Sequence, residues 1–290
     1  MSRPIRAAAV AGAWYPGSAP ALVSAVNRHL GAAGDIPREP VDLIAIVAPH
    51  AGLMYSGPVA AHAYRLLRGR AIDVAVLVGP SHFVAFEGVS IYPSGGFQTP
   101  LGVAAIDEEC AAELMRATPI VREYSPAHAR EHSLEMQLPF LQCLVPDAKI
   151  VPMVMGFQTA DTARILGDAL AMAVRGRKAL LVASTDLSHY HEARAAACLD
   201  AVVIDHVSRF DADGLQAALD ARPEHACGGG PAVAVMRAAR LAGAREAVVL
   251  RYADSGDVSG DKTAVVGYLA AAFGTFQNVT TERAEIAETC

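Results

Sequence analysis

Three apolar runs in this chain each lead into a histidine, and this pattern constrains the fold more than any other feature. The segments end at His50, His82 and His189, and each begins with an uninterrupted run of Val, Ile, Leu and Ala. Such runs are typical of strands buried on both faces of a parallel sheet. Ligands of open α/β sheets bind in the crevice beyond the carboxyl ends of the strands. The pattern therefore predicts imidazoles at one sheet edge, in a metal site or an acid/base site.

Composition and charge limit the classes of protein to which the chain can belong. Hydrophobic residues make up 53% of its 290 residues, which is enough for a sizeable buried core. The formal net charge of -6 argues against a nucleic-acid partner. Apolar runs stay well short of the roughly 18 residues of a membrane span. We therefore expect a globular protein without nucleic-acid or membrane partners.

The start of the chain and its cysteines predict the cellular compartment. The basic and then apolar start is interrupted at Gly12, Trp14 and Pro16, which argues against a signal peptide. The five cysteines are an odd number and have no paired spacing. This favours a reducing, cytoplasmic setting.

Alternating strand and helix patterns predict a three-layer αβα fold with a mixed, mainly parallel central sheet. One such domain is expected over residues 1–274, followed by a polar, loose tail over 275–290. Asp107 is a predicted N-cap, and Pro139 is expected to split the helix that contains it. The predicted strands are 41–47, 73–78, 149–155, 179–183, 247–252 and 263–269, with a hairpin of 88–92 and 99–105. The predicted helices are 58–67, 107–116, 131–144, 159–174, 214–219 and 231–242, with another that runs to residue 210.

His50 and His82 are the first candidate metal ligands. Each follows a Pro-containing exit from a predicted strand, and such an exit controls where the next side chain points. Neutral imidazole binds Fe, Zn, Cu and Ni well, so two imidazoles make most of a metal site. The alternative is that each ring only satisfies carbonyls of its own loop.

Asp186 and His189 are the candidate acid/base pair. A carboxylate three residues from a histidine can orient the ring or raise its pKa, as general acid/base catalysis requires. The alternative is a helix start near Tyr190 that Asp186 or Ser188 caps, with His189 in the first turn.

Cys227 begins a run of three glycines and is followed by a predicted helix with Pro231 near its first position. The flexible backbone and the helix N-terminus favour an anion at this point. We expect a lowered pKa for Cys227 and a role as metal ligand or nucleophile. The alternative is a small residue tolerated in a crowded turn.

Glu131 and His132 begin the predicted helix 131–144. Glu131 shares a helical face with Leu134 and Leu138, which predicts a buried carboxylate. Because a buried carboxylate needs a partner, Glu131 is expected to hold a ligand histidine by a hydrogen bond.

Together these segments resemble the Memo family, over nearly the whole length of the chain and in the order expected for that family. The matching stretches are Ala13-Trp-Tyr-Pro, Ala48-Pro-His-Ala-Gly, Tyr55-Ser-Gly, Gly79-Pro-Ser-His, Glu131-His-Ser-Leu-Glu-Met-Gln-Leu-Pro-Phe, Ser184-Thr-Asp-Leu-Ser-His, Cys227-Gly and Ser255-Gly-Asp-Val-Ser-Gly-Asp-Lys.

The Memo family is similar to the class III extradiol dioxygenases, non-haem Fe(II) enzymes that cleave catechol rings. The resemblance implies that His50 and His82 are metal ligands and that Cys227 replaces the carboxylate of the dioxygenase triad. It also implies His189 as the acid/base, with Asp186 beside it. Because sulfur is a softer ligand than oxygen, Cu or Zn would also suit the site. Radical-SAM and AMMECR-type proteins, encoded with or fused to bacterial relatives, are the implied partners.

Three hypotheses follow. The first is a dioxygenase-like, Fe(II)-dependent oxidoreductase for a small-molecule substrate, in which Trp14, Tyr55, Glu131 and His132 shape or support the pocket. The second is a metal-free enzyme with Cys227 as nucleophile and His189 or His50 as base. The third is a binding module that captures a peptide or an anion in the same crevice.

Overall fold

The fold is built on a nine-stranded mixed sheet and a separate three-stranded sheet. The computed structural model describes residues 4–34 and 38–278. The strands of these residues are β1 (Ile5–Arg6), β2 (Arg38–Ala48), β3 (Val74–Pro80), β4 (Val89–Ile91), β5 (Gly96–Thr99), β6 (Gly102–Ala105), β7 (Val121–Glu123), β8 (Lys149–Met155), β9 (Ala179–Ser184), β10 (His189–His191), β11 (Glu246–Asp254) and β12 (Val265–Asn278).

Helices cover the sheet. They are α1 (Ala19–Ala32), α2 (Leu53–Tyr64), α3 (Glu108–Ala117), α4 (Pro126–Ala129), α5 (Leu138–Leu144), α6 (Ala160–Ala173), α7 (Ala193–Ser208), α8 (Ala212–Ala221), α9 (Gly229–Leu241) and α10 (Gly256–Ser259). Short 3-10 turns lie at Arg65–Leu67, Glu135–Gln137 and Pro223–His225.

The centre of the large sheet is parallel and its borders are antiparallel. The parallel strands lie in the order β2, β9, β3, β8, so β9 lies between the two strands that precede His50 and His82. On one side β12 pairs antiparallel to β2, and on the other side β4 pairs antiparallel to β8. The predicted mixed α/β sheet is confirmed.

Two hydrophobic cores, one on each face of this sheet, make the fold three-layered. Neighbouring residues of one strand alternate between them: Val76 and Val78 pack into one core, and Ala75 and Leu77 into the other. The first core contains the apolar residues of α6 and α9, and the second those of α1 and α2. Strands buried on both faces explain the uninterrupted apolar runs of the sequence.

Short sequence patterns, such as a capping residue or a proline, predicted several elements correctly. The strand predicted at 149–155 has those bounds. The Asp107 side chain accepts a hydrogen bond from the Cys110 backbone N–H at 2.9 Å and so caps α3. Pro139 lies in the first turn of α5, where its missing N–H costs nothing, so the long predicted helix is indeed divided.

Four predictions about element boundaries and strand pairing are wrong. Helix α2 begins five residues before Pro58, and residues 131–134 are not helical. Residues 88–92 do not pair with 99–105: β4 joins the large sheet, whereas the hairpin is β5 with β6. Residues 275–278, assigned to the tail, extend β12 along β2. The remaining tail, 279–290, lies outside the described residues.

Helix lengths in the described ranges also bear on membrane insertion. Among residues 4–34 and 38–278 there is no helix with the length and apolar character that crossing a bilayer requires.

His128 in α4 makes the free energy of unfolding depend on pH. Its side chain is buried, and within residues 4–34 and 38–278 neither ring nitrogen has a hydrogen-bond partner. Burial, and then the Arg6 guanidinium, lower the pKa of His128 to about 4. The unfolded chain takes up this proton near pH 6.5, which is the ordinary histidine value. The free energy of unfolding therefore falls as the pH drops from about 6.5 to about 4.

We expect His128→Leu to reduce this loss of stability on acidification. Between about pH 7 and pH 4 the variant should lose roughly 3 kcal/mol less unfolding free energy than the wild type, because its side chain has no proton to gain. Urea unfolding of both proteins across this range measures the difference. Parallel pH profiles for the two proteins would contradict the assignment.

Candidate metal centre

Three neighbouring parallel strands deliver the candidate residues to one sheet edge. Strands β2, β3 and β9 run side by side, and His50, His82 and Asp186 are each the second residue after the strand end. Because the strands are parallel and in register, the three side chains meet beyond their carboxyl ends. The sequence prediction of a shared edge therefore has a direct structural basis.

Three imidazoles lie close together at this edge. His50, His82 and His132 each offer one ring nitrogen, and these atoms all lie within 4.8 Å of one another. His50 is buried, whereas a quarter of the His82 side chain, 26%, is exposed to solvent. The cluster is thus closed on the sheet side and open at His82.

The angles between the ring planes differ among the three histidines. The His50 ring is nearly perpendicular to the His82 ring, at 79°, and to the His132 ring, at 82°. The His82 and His132 rings instead stack, with centroids 4.5 Å apart and planes only 21° apart. A metal ion lies in the plane of the imidazole that binds it, so two stacked rings cannot both face one ion. Either His82 or His132 can therefore share an ion with His50.

Glu131 orients His82 through several hydrogen bonds. Its carboxylate accepts the His82 backbone N–H at 2.7 Å and lies 2.8 Å from the His82 Nδ1. The Ser133 and His132 backbone N–H groups donate to the same carboxylate at 2.9 and 3.0 Å. Burial raises the pKa of Glu131, but the hydrogen bonds and charge of His82 outweigh burial and lower this pKa to about 2. A negative, buried carboxylate thus supports the His82 ring, as the sequence predicted.

Gly79 allows Glu131 to come this close. A Cβ at residue 79 would lie 2.6 Å from the Ser133 Oγ and 2.9 Å from a Leu134 methyl group. A side chain at residue 79 would displace Ser133 and Leu134, so glycine lets the segment 131–137 pack directly against the strand that precedes His82.

His50 is held from the opposite side by residues of β9 and of the 131–137 segment. Its Nδ1 lies 2.8 Å from the Ser184 Oγ, which also contacts the Gln137 Nε2 at 2.7 Å and the Ser133 carbonyl at 2.7 Å. Burial, and then the neighbouring His82 ring, lower the pKa of His50 well below its ordinary value. The ring is therefore neutral near pH 7.

Cys227 lies against His50, as the sequence predicted. Its Sγ is 3.2 Å from the His50 Nε2 and accepts the Asp186 backbone N–H at 3.3 Å. The following residue must be glycine, because a Cβ at residue 228 would lie 2.4 Å from the Ser184 carbonyl oxygen. The glycines after Cys227 thus bring the thiol close to the end of β9.

The expected low pKa of Cys227 is wrong for the protein without metal. Burial, and then the Asp186 carboxylate, raise the thiol pKa well above its ordinary value. The helix α9 begins two residues later, and its N-terminus does not outweigh burial. The group is therefore a neutral thiol that can donate its proton to an imidazole nitrogen.

Asp186 supports His50 rather than His189. Its Oδ1 accepts the His50 backbone N–H at 2.7 Å, and its Oδ2 lies 4.0 Å from the His50 Nε2. Burial raises the pKa of this carboxyl group. The alternative of a helix start near Tyr190 is wrong, since residues 189–191 form β10 and the α7 cap is Glu192.

His189 lies on a distorted edge strand beside the cluster. Its charge is close enough to affect the pKa values of His50 and Asp186. The next residue, Tyr190, has a φ of 62° and coincides with a register shift between β10 and β12. Such bulges re-aim side chains at functional sites. His189 is half-buried and stays the candidate acid/base.

Trp14 and Tyr55 occupy different positions. The Trp14 ring lies 4.3 Å from the His132 ring and borders a cavity of about 620 Å³ that also contacts Met54. A second cavity, of about 360 Å³, adjoins Cys227. Tyr55, in the first turn of α2, packs against the second hydrophobic core. Its predicted role in the pocket stays a prediction.

Sequence reasoning missed Arg6, Tyr15 and Glu135. The Arg6 guanidinium pairs with the buried Glu135 carboxylate at 2.5 Å and donates to the carbonyls of His128 and Glu131. The Tyr15 hydroxyl donates to the same carboxylate at 2.6 Å. This network ties the N-terminal segment, with Trp14, to residues 131–137. The sequence did contain one signal for Glu135. It is the second glutamate of Glu131-His-Ser-Leu-Glu, and the prediction of a helix over 131–144 named no partner for its carboxylate.

Comparisons with known proteins agree with the residue patterns. A family model described as Memo-like protein matches residues 6–272. A MEMO1 family protein of Methanothermobacter thermautotrophicus is 40% identical over 276 residues, which cover 91% of this chain and 98% of that protein. A MEMO1 family protein of Ignicoccus hospitalis is 40% identical over 280 residues, covering 93% and 98%.

Among solved structures, an uncharacterized protein of Escherichia coli K12 aligns with a TM-score of 0.48 and 15% sequence identity. The alignment covers 78% of this chain and 99% of that protein.

The buried pair of Arg6 and Glu135 yields a stability prediction. We expect Glu135→Gln to lower the free energy of unfolding by about 3–5 kcal/mol, because the buried guanidinium loses its counter-charge. Urea unfolding measures the loss.

The matched control is Glu123→Gln on the exposed end of β7, which should change stability by less than about 0.5 kcal/mol. Equal effects of the two substitutions would show that the ion pair does not hold the N-terminal segment in place.

Proposed function

Because the chain belongs to the Memo-like protein family, we propose that it is a metal-dependent, dioxygenase-like oxidoreductase for a small organic substrate. His50, His82 and Cys227 would bind a single transition metal, Fe(II) in the first place, with Cu or Zn as alternatives. The observation that carries the proposal is the position of the His50 ring beside an opening to solvent: its nitrogen lies within 4.8 Å of that of His82, and its Nε2 lies 3.2 Å from the Cys227 Sγ.

The distances from His50 to the other two donors are close to those found around one metal ion. Ligands of one transition metal ion lie roughly 3 to 4.5 Å apart, given metal–ligand bonds of about 2.0–2.3 Å. The His50 and His82 nitrogens lie within 4.8 Å of each other, and the Cys227 Sγ is 3.2 Å from the His50 Nε2. Imidazole and thiolate suit Fe, Cu and Zn better than Mg or Ca.

The contacts with Glu131 favour His82 over His132 as the second imidazole ligand. Distance alone groups both with His50, but the stacked rings exclude joint coordination. Glu131 holds His82 by the ring and by the backbone. The contact of His132 with this carboxylate is longer, with its Nδ1 3.6 Å from the Glu131 Oε1. Cys227 is then the third donor.

A bound metal would supply Lewis acidity and a site for redox chemistry at this edge. The residues of the chain would do the rest. The His82 side would offer the way in, the contacting rings of Trp14 and His132 would border it, and His189 would move a proton. The Asp186 carboxylate would balance positive charge next to His50.

The metal-free nucleophile is less well supported. A nucleophilic cysteine must be a thiolate, and burial together with Asp186 raises the pKa of Cys227. A bound cation would reverse this preference, because metal coordination deprotonates a thiol. The same residue is therefore better suited to hold a metal than to attack a substrate alone.

The first test is metal content. Protein purified without oxygen should carry stoichiometric metal, and the double variant His50→Ala/His82→Ala should carry almost none, because both imidazole ligands are missing. Elemental analysis measures both. His206→Ala, on α7, is the control and should retain metal. Equal and negligible metal in the wild type and the double variant would overturn the proposal.

The second test identifies the third donor. Cobalt(II)-loaded wild type should show sulfur-to-cobalt charge-transfer absorption, which Cys227→Ser should abolish and His132→Gln should leave in place. Ultraviolet–visible spectra of the three proteins decide this. A wild type without that absorption, combined with loss of cobalt binding in His132→Gln, would assign the third position to His132.

A further inference from the structure

A histidine binds a metal only through a ring nitrogen that carries no proton. A neutral imidazole has its proton on either Nδ1 or Nε2, and the hydrogen bonds of the other nitrogen decide which one is free. For His50 and His82 the hydrogen bonds around Nδ1 answer this question, and one segment, 131–137, supplies or orients them in both cases.

The chain of bonds at His50 begins at Gln137. The carbonyl of Pro49 can only accept, so the atom of Gln137 that lies 3.1 Å away must be Nε2, a donor. The Tyr64 hydroxyl, 2.8 Å from the Gln137 Oε1, donates to the other end of the amide. Gln137 therefore also donates to the Ser184 Oγ at 2.7 Å.

The Ser184 hydroxyl then has one acceptor to which it donates its proton. It cannot donate to Gln137, and the Ser133 carbonyl at 2.7 Å is a pure acceptor, so the hydroxyl donates there. One acceptor position on the Ser184 Oγ remains for the His50 Nδ1 at 2.8 Å. Nδ1 must fill it as a donor, which leaves the His50 Nε2 without a proton.

At His82 the same result follows more directly. The Glu131 carboxylate accepts hydrogen bonds from three backbone N–H groups and is ionised, so it can only accept from the His82 Nδ1 at 2.8 Å. When the His82 ring is neutral, its Nε2 is thereby left free as well.

We propose that Ser184, oriented by Gln137, is a positioning residue that keeps the proton of His50 on Nδ1. Together with Glu131 at His82, it prepares the Nε2 atoms of both histidines to bind a metal. The use of these nitrogens rests on the proposed function, whereas the protonation pattern is a property of the protein without metal.

Ser184 is needed because the surroundings of the other nitrogen favour the opposite tautomer. The Asp186 Oδ2 lies 4.0 Å from the His50 Nε2 and attracts a proton there, and the Cys227 Sγ at 3.2 Å can accept one. With the Ser184 hydroxyl in place, Nε2 carries no proton and can accept that of the thiol, for which the Asp186 carbonyl, 3.6 Å from the Sγ, is a second acceptor. Without that hydroxyl, the buried Nδ1–H loses its acceptor, and the proton should move to Nε2.

The experiment is nitrogen NMR of metal-free protein labelled with 15N-histidine, in which long-range proton–nitrogen correlations distinguish the two tautomers. His50→Gln and His82→Gln each remove one set of signals and so assign the rings. At a pH at which both rings are neutral, the wild type should show both histidines with the proton on Nδ1. A wild-type His50 protonated on Nε2 would overturn the proposal without any further variant.

Ser184→Ala should transfer the His50 proton to Nε2 and leave His82 unchanged, so that His82 serves as an internal control. The matched variant is Ser90→Ala on β4. It removes another fully buried hydroxyl, which donates a hydrogen bond to the Tyr124 carbonyl. It should change neither ring. An unchanged His50 signal in Ser184→Ala would refute the role of Ser184.

Competition titrations with a chromophoric zinc chelator connect the tautomer to binding. Ser184→Ala should bind Zn²⁺ about 10- to 100-fold more weakly than the wild type, and Ser90→Ala should bind like the wild type. Wild-type protein with the expected tautomers and no zinc binding would refute the proposed function and retain the tautomer assignment. Equal zinc affinity of Ser184→Ala and wild type would retain the metal site and refute the positioning role.

Discussion

The polar segment 131–137 is buried against the end of the sheet, and the arrangement of the site depends on satisfying its side chains. An unpaired buried carboxylate or amide would cost several kcal/mol. Three of its polar side chains are paired with different parts of the chain: Glu131 with the His82 loop, Glu135 with the N-terminal segment, and Gln137 with the end of β9. The need for hydrogen bonds thus connects three regions that are distant in sequence.

Hydrogen bonding of this kind makes the site rigid before any ligand arrives. His50 and His82 are each held at the ring and at the backbone, by Ser184 and Asp186 in one case and by Glu131 in the other. The parallel strands set the spacing between them, and glycines at 79 and 228 let the supporting segments approach. Pre-oriented ligands lose little entropy when a metal binds, because their rings have few alternative positions to give up.

Cys227 differs from the two histidines in its protonation. It is a neutral, buried thiol beside a buried carboxyl group, an arrangement that is stable only while the proton stays on sulfur or is replaced by a cation. A metal ion would satisfy the thiolate and the two imidazoles together. The electrostatics of the site therefore favour a ligand with positive charge and argue against a free nucleophile.

The sequence by itself determined the layered α/β fold and the edge at which His50 and His82 lie. Short apolar runs between helical patterns are typical of strands buried on both faces, and parallel strands end together. It also predicted a buried Glu131, although from a helix that does not form at residues 131–134. Only the tertiary structure decided the partner of Asp186, the raised pKa of Cys227 and the roles of Glu135, Gln137 and Ser184. These depend on contacts between residues far apart in the chain, and the local pattern of a sequence carries no information about which buried polar groups will face each other.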